Sequence, residues 1–114
     1  MKYQSNPMIV SDKIDWEDLG GGVKRKIMGY NDDIMMVQVY FQKGSIGAVH
    51  QHVHSQTTYV AKGKFEVNIG GKTMVLNTGD GFYAPPNTDH GVVCLEEGML
   101  LDTFAPIRED FMKG

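Results

Sequence analysis

Short apolar or alternating runs, separated by glycine-containing turns, follow one another along the chain. In Lys64–Ile69, for example, Phe65, Val67 and Ile69 alternate with polar residues, which is the period of a strand with one buried face. The helical period is nearly absent. We predict strands at Val23–Met28, Ile34–Gln42, Thr58–Ala61, Lys64–Ile69, Lys72–Leu76, Phe82–Ala84, His90–Glu96 and Met99–Phe104.

Turn-forming residues separate these strands. Gly70-Gly71 predicts a two-residue hairpin, and Glu97-Gly98 predicts a tight link between the last two strands. The only helical signals are short turns near Asp15–Asp18 and Glu109–Met112. About nine short strands in a chain of this size predict an all-β sandwich or small barrel. The length of 114 residues suits a single domain over residues 1–114.

The charge pattern argues against a nucleic-acid partner. The net charge is −3 and the pI is near 5.7, whereas a nucleic-acid-binding protein usually carries a clustered basic face. The longest basic cluster is Lys24-Arg25-Lys26, which we interpret as the solvent face of an edge strand.

The single cysteine, Cys94, excludes an internal disulfide and fits a reducing compartment. The first seven residues lack the apolar core of a secretion signal. No run approaches the roughly 18 apolar residues of a membrane span. We therefore expect a cytoplasmic protein of bacterial type, without a membrane partner.

All four histidines fall in two short segments, His50 to His54 and His90. In an extended segment alternate residues share a face, so His50 and His52 should project in the same direction. Neutral imidazoles are donors to divalent transition metals, and a distant residue must complete such a set. The sequence therefore predicts a metal site, for which His90 is the obvious third donor.

The spacing of these histidines relative to glycines and a proline resembles the two sequence motifs of the cupin superfamily. The first motif comprises Gly44, His50, His52, Gln56 and Gly63, and the second comprises Gly79, Pro85, Asn87 and His90. The resemblance covers residues 15–111 and implies a double-stranded β-helix, or jelly-roll barrel. It also implies one divalent ion (Zn, Ni, Mn, Fe or Co) held by His50, His52, Gln56 and His90.

Two residues depart from the usual cupin pattern. Asn87 replaces a glycine, which is a mild change because asparagine tolerates positive φ. Gln56 stands where many cupins carry glutamate, so three imidazoles and an amide leave the charge of the ion unneutralised. Four protein ligands on an octahedral ion leave two positions open. Such a site favours an anionic ligand, notably a carboxylate or an enolate.

The C-terminal segment Leu100–Phe111 resembles the ending of KdgF-type cupins, and Trp16–Gly20 and Tyr40–Gly44 also resemble that group. Those enzymes act in pectin and alginate breakdown, where they convert 4,5-unsaturated monouronates into linear keto-uronates. The resemblance implies that the metal-facing aspartate, aromatic and arginine are Asp102, Phe104 and Arg108.

Several candidate side chains have a structural alternative. Asp102 shares a face with Phe104 and is either an acid or base of the pocket or a structural partner of Arg108. Arg108 either forks onto a substrate carboxylate or forms a surface salt bridge with Glu109 or Asp110. Tyr59 either binds substrate or packs in the barrel. His54 is expected at the pocket rim or exposed, and Cys94 as a buried, inert thiol.

The leading hypothesis is a metal-dependent enzyme that opens or tautomerises a small unsaturated uronate. In it Asp102 and Arg108 are catalytic, and Phe104, Arg108 and Tyr59 bind substrate. The alternatives are an iron-dependent cupin dioxygenase and a non-catalytic, metal-dependent sugar-binding or sensing module. We also expect a homodimer, in which the apolar residues of the N-terminal segment 1–20 pack on the barrel or across the dimer.

Overall fold

The computed structural model describes residues 1–112 and consists of antiparallel strands with two short 3-10 turns. The strands are β1 Glu17–Gly20, β2 Val23–Asn31, β3 Ile34–Phe41, β4 Ile46–His50, β5 Ser55–Ile69, β6 Lys72–Asn77, β7 Gly81–Ala84 and β8 His90–Ala105. The 3-10 turns are Ser11–Lys13 and Glu109–Met112. The prediction of an all-β fold is confirmed, and so is the turn at Glu109–Met112.

Two long strands, β5 and β8, run through both halves of the fold. The second half of β8 pairs with β3 and with the beginning of β5, while its first half pairs with β4 and with the end of β5. The hydrogen-bonded order is β1-β2-β3-β8-β5-β6, with β4 also on β8 and β7 also on β5. This is the cupin-type jelly roll, although within residues 1–112 the ladders do not close into a complete ring of hydrogen bonds.

Both long strands continue through positions where the sequence predicted breaks. Gly63 faces Glu97-Gly98, and a Cβ on Gly63 would lie 2.6 Å from the backbone oxygen of Glu97. A Cβ on Gly98 would collide with the backbone oxygen of Lys62. The pairing register shifts repeatedly between Val60 and Phe65. The glycines therefore mark a shared bend that carries both strands from one half to the other, because only they permit this close approach.

The first two strands correct two sequence-based predictions. The turn predicted near Asp15–Asp18 is the start of β1, where Glu17 pairs with Arg25 of β2. Because β1 pairs along the outer edge of β2, β2 is not an edge strand, and the interpretation of Lys24-Arg25-Lys26 as the solvent face of an edge strand is wrong. Lys26 is only 7% exposed, and its Nζ donates to the backbone oxygen of Ser11 at 2.8 Å.

The N-terminal segment packs on its own chain. The backbone N–H groups of Lys2 and Tyr3 donate to the carboxylate of Asp32 at 2.9 and 2.6 Å, and Ser5 N–H donates to Tyr30 O at 2.9 Å. These bonds attach the segment to the turn between β2 and β3. Among residues 1–112 there is no helix with the length and apolar character that crossing a membrane requires.

Apolar side chains from both halves fill the space between the sheets. The largest fully buried side chains are Phe65, Met35, Val37, Val60 and Cys94. Phe41 and Phe65 meet edge to face at 5.3 Å between ring centroids. The expectation of a buried Cys94 is confirmed. This packing leaves one lined cavity of about 260 Å³ beside the histidines.

Candidate metal centre and cavity

Three of the four histidines form one cluster. His50 ends β4, His90 begins β8, and the two residues pair directly across the ladder. His52 lies beyond the end of β4, so it reaches the cluster from the connection to β5. The prediction that strand alternation brings His50 and His52 together is therefore wrong. The ring centroids are 4.6 Å apart for His50 and His90, 4.8 Å for His52 and His90, and 5.5 Å for His50 and His52.

The outer nitrogen of each clustered ring is bonded to a backbone carbonyl. The Nδ1 atoms of His50, His52 and His90 lie 2.9, 3.0 and 2.9 Å from backbone oxygens, which belong to Ala48, His54 and Thr88 respectively. An oxygen acceptor there fixes the proton on Nδ1 and leaves the lone pair on Nε2. One donor nitrogen from each ring lies within 4.8 Å of those of the others. The cluster can therefore hold one metal ion.

His90 is suited to metal binding by its burial. His90 is 4% exposed, and its Nε2 is buried without a hydrogen-bond partner among residues 1–112. Burial also lowers the pKa of His90, so the ring stays in the neutral form that a metal requires. An unsatisfied buried acceptor of this kind is costly unless a cation occupies the site.

Gln56 lies next to the three-histidine cluster. Its Oε1 lies 3.0 Å from His52 Nε2, while its Nε2 donates to Thr58 Oγ1 at 2.9 Å and to Asp102 Oδ1 at 3.3 Å. The Thr58 hydroxyl in turn donates to Asp102 Oδ1 at 2.6 Å. Because the carboxylate only accepts, it fixes the amide with its oxygen towards His52. Two acceptors then face each other, an arrangement that a cation between them would stabilise.

Asp102 lies in β8 opposite Val37 on one side and Thr58 on the other. Burial raises the pKa of its carboxyl to about 6, against the lowering effects of the Thr58 hydrogen bond and the Arg108 charge. At neutral pH the group is therefore largely ionised, yet close enough to its pKa to take up a proton. These are the properties of a general base.

The cavity brings most predicted site residues together. It is lined by the ligand candidates His50, Gln56 and His90, the charged side chains Arg25, Asp102 and Arg108, the aromatic residues Phe41, Phe82, Phe104 and Phe111, and a wall of smaller apolar residues. Asp102 is the only acidic residue in that lining. The cavity thus combines a histidine end, one half-buried carboxylate and two guanidinium groups.

Arg108 faces the cavity and also forms the salt bridge considered as its alternative. Its Nε and Nη2 donate to Asp110 at 3.0 and 2.8 Å, and its side chain is 12% exposed. The guanidinium carbon lies 4.3 Å from the Phe111 ring centroid and 5.1 Å from that of Phe104. Asp110 therefore fixes one edge of the guanidinium, and the side chain remains part of the cavity wall.

Three candidates are absent from the cavity lining, namely Tyr59, His54 and His52, of which only His52 belongs to the histidine cluster. Tyr59 is 50% exposed, because alternation along β5 turns it outward while Gln56 and Thr58 point inward. The structure therefore gives no support for Tyr59 as a substrate-binding residue. The half-buried His54 lies outside the three-histidine cluster, and its Nε2 is 3.1 Å from the backbone oxygen of Ile107. It joins the β4–β5 connection to the segment that carries Arg108.

Two residues of the site were missed by sequence reasoning. Thr58 carried no motif, although it shares the inward face of Gln56. Arg25 lines the cavity, with its guanidinium carbon 3.7 Å from the Phe111 centroid and Nη2 bonded to Glu17 at 2.8 Å. The available signal was strand alternation, which puts Arg25 in phase with Val23, a core residue of β2.

Comparisons with known proteins agree with this geometry. The family described as Cupin domain matches residues 37–104. The "Pectin degradation protein KdgF" of Dickeya dadantii (strain 3937) is 53% identical over 105 residues, which are 90% of this chain and 96% of that protein. The structure of KdgF from Halomonas sp. superposes with a TM-score of 0.90 at 39% identity, over 94% of this chain and 99% of the other.

A second solved structure is similar over nearly the whole chain. An RmlC-like cupin from Shewanella frigidimarina NCIMB 400 gives a TM-score of 0.93 at 48% identity, with 95% of this chain and 97% of that chain covered. The matched family region contains the three clustered histidines, Gln56 and Asp102. The chain therefore belongs to the cupin family and is close to the pectin degradation protein KdgF.

Proposed function

We propose that this protein is a metal-dependent enzyme that converts 4,5-unsaturated monouronates into linear keto-uronates. The observation that carries the proposal is an ionisable Asp102 that lines the cavity and accepts from the amide of Gln56, next to the three-histidine cluster. The 53% identity to a protein named for pectin degradation supports a sugar acid as the substrate. The chemistry of the reaction follows from the residues of the cavity.

The ligand set we propose is His50, His52, Gln56 and His90, around one divalent transition ion. The residues fit such an ion, because the orphaned Nε2 of His90 and the paired acceptors of His52 and Gln56 all need a cation. When bound, the ion supplies positive charge that polarises a substrate oxygen. Since all four donors are neutral, the site retains that charge and favours an anionic oxygen.

Asp102 is the proposed proton carrier. Conversion of the cyclic unsaturated uronate into its linear keto form is an isomerisation that adds and removes no atoms overall. A proton leaves the anomeric hydroxyl, and the bond between that carbon and the ring oxygen breaks to give an aldehyde and an enolate. The enolate then gains a proton on carbon and becomes the ketone. With a pKa of about 6, Asp102 can accept the first proton and return it to the enolate.

The end of the cavity at Arg108 and Phe104 suits the carboxylate and the ring of the substrate. Arg108 lines the wall with a guanidinium, the group that binds carboxylates most specifically. Phe104 lies next to it, only 3% exposed, and its ring centroid is 5.7 Å from that of His52. We propose that Phe104 packs on the sugar ring between the metal-binding end and the carboxylate at Arg108.

A turnover assay tests this proposal against its alternatives. We expect purified, metal-loaded protein to remove the absorbance of the conjugated double bond of an unsaturated monouronate, and chelated protein to be inactive. Oxygen uptake coupled to substrate loss would instead indicate a dioxygenase. Substrate binding without any turnover, under each of Zn, Ni, Mn, Fe and Co, would indicate a binding or sensing module.

A further inference from the structure

Arg25 occupies a place in the cavity that neither the cupin motifs nor the C-terminal segment assigns. Its guanidinium carbon is 3.7 Å from the Phe111 centroid, and that of Arg108 is 4.3 Å from the same centroid. Since the two distances add to 8.0 Å, the guanidinium carbons lie no further apart than that. Both guanidinium groups therefore pack on one ring at the same end of the cavity, and a carboxylate that meets both must lie within this span.

Each of the two arginines is anchored on one side by an acid at the surface. Glu17 holds Nη2 of Arg25 and Asp110 holds Nε and Nη2 of Arg108, and both acids are more than half exposed. The arginine side chains are only 15% and 12% exposed. Each guanidinium is thus fixed in orientation by a group outside the cavity and retains N–H donors that the acid does not use.

The ion pair with Glu17 does not by itself account for a buried Arg25. A pair with an exposed partner contributes little to stability, typically less than about 1 kcal/mol. Moreover, Nε of Arg25 is buried and has no hydrogen-bond partner among residues 1–112. Asp102, the only acid in the cavity lining, already accepts from Thr58 and Gln56. The lining therefore supplies no acid besides Asp102 for the N–H groups that Glu17 and Asp110 leave free.

Aromatic rings separate this end of the cavity from the histidines. The rings of His52 and Phe104 are 5.7 Å apart, and those of Phe104 and Phe111 are also 5.7 Å apart. Arg25 packs on the Phe111 ring at the end of this series. A ligand that reaches both ends would hold an oxygen near the histidines and a negatively charged group beside Phe111.

We propose that Arg25 is a specificity-determining residue, which together with Arg108 binds the carboxylate of the substrate beside Phe111. This inference rests on the proposed function in one respect, namely that the ligand is a sugar acid. It assigns the selection of acid over neutral sugar to a pair of arginines from β2 and the C-terminal segment. It makes the first strands of the fold part of the binding site.

Equilibrium binding tests the proposal without relying on turnover. Galacturonate and galactose differ mainly in the carboxylate, so their dissociation constants for the metal-loaded protein, measured by calorimetry, report its recognition. We expect wild-type protein to prefer galacturonate. In Arg25→Gln the ratio of the two dissociation constants should fall by at least about tenfold. Arg25→Lys, which keeps the charge but loses the planar fork, should fall between the two.

Two further variants separate recognition from charge and from folding. Lys24→Gln removes the same charge from the adjacent residue of β2, whose Nζ lies over Trp16 and Tyr40 rather than in the cavity, and it should keep the wild-type preference. Glu17→Gln leaves Arg25 in place but replaces its charged anchor by a neutral, weaker acceptor, and it should weaken galacturonate binding. It tests the proposal even if Arg25→Gln does not fold.

Specific results would overturn the assignment. Wild-type preference in a folded Arg25→Gln protein, an equal loss in Lys24→Gln, or no preference in the wild type would each contradict it. Unchanged binding in Glu17→Gln would contradict it where Arg25→Gln does not fold. Failure of the proposed function is recognised separately, by the absence of turnover of unsaturated monouronate in a protein that still prefers the acid sugar.

Discussion

Gln56 Oε1 lies 3.0 Å from His52 Nε2, and in a neutral ring with its proton on Nδ1 both atoms are acceptors. The proton of His52 is on Nδ1, bonded to the backbone oxygen of His54, and the amide N–H groups of Gln56 point to Thr58 and Asp102. Asp102 therefore acts on the ligand cluster indirectly, because it sets the direction of the Gln56 carbonyl. This relationship connects the metal site to the proposed base.

The first prediction concerns the metal. His52→Ala and His90→Ala should each lower metal affinity by at least about 100-fold. Loss of a residue that only hydrogen-bonds to a metal ligand already costs about 10 to 100-fold, and loss of a ligand itself should cost more. Metal content after dialysis, measured by mass spectrometry, checks this. His54→Ala is the matched control and should retain the metal, because its side chain lies outside the cluster. Stoichiometric metal in both ligand variants would mean that the ligand assignment is wrong.

The second prediction concerns Arg108. Replacement by lysine keeps the charge but loses the planar donor fork and its bidentate bond with Asp110. We expect KM for unsaturated monouronate to rise roughly tenfold with little change in kcat, as for a residue that binds ground and transition states equally. Steady-state kinetics measure this. A fall in kcat at unchanged KM would instead place Arg108 in the chemical step.

The third prediction concerns pH and the N-terminal segment. Backbone N–H donation by Lys2 and Tyr3 lowers the pKa of Asp32 below its ordinary 3.8. The unfolded chain then binds the proton more tightly, so the stabilisation is complete above about pH 4 to 5 and is lost as the pH falls through the folded pKa. The difference in unfolding free energy between wild type and Asp32→Asn should therefore shrink between pH 6 and pH 3. A constant difference would show that these bonds do not respond to the charge.

The fourth prediction is that the protein forms a homodimer. Several apolar side chains remain exposed, among them Met8, Val10 and Val53, which are 87%, 53% and 68% exposed. The edge strands also present free backbone groups, which association would cover. Light scattering at tens of micromolar should give twice the chain mass of 12.7 kDa. A mass of one chain under those conditions would contradict the prediction.

The sequence identified the residues whose spacing is a motif and missed those placed by alternation or by tertiary contacts. His50, His90 and Gln56 were found because ligand offsets follow from the motif, and the structure brings them to one cavity. Arg25 was missed because three consecutive cations were interpreted as one charged face. Strand alternation turns only Lys24 and Lys26 away from the cavity, whereas Arg25 points towards it. Tyr59 was assigned to the pocket against that same alternation.

The strand boundaries show a similar division. The sequence-based strands were ended at Lys62-Gly63 and at Glu97-Gly98, because glycine ends many strands. In the fold the two glycine positions face each other, so they bend two continuous strands together. That pairing joins residues more than thirty positions apart, and no local pattern contains it. The edge strand β1 was missed for the same reason, since it exists only through its pairing with β2.

The most direct test of the account is the rate at which unsaturated monouronate loses its absorbance with wild-type protein, with chelated protein and with Asp102→Asn. Asparagine keeps the size of the side chain and can accept from Thr58 and Gln56, but it cannot take a proton. We predict full turnover by the wild type, none by the chelated protein, and a kcat of the metal-loaded Asp102→Asn lower by roughly 10² or more. Normal turnover by Asp102→Asn, with activity lost on chelation, would contradict the role of Asp102 as the base. If no unsaturated monouronate reacts with any loaded metal, the proposed reaction is wrong.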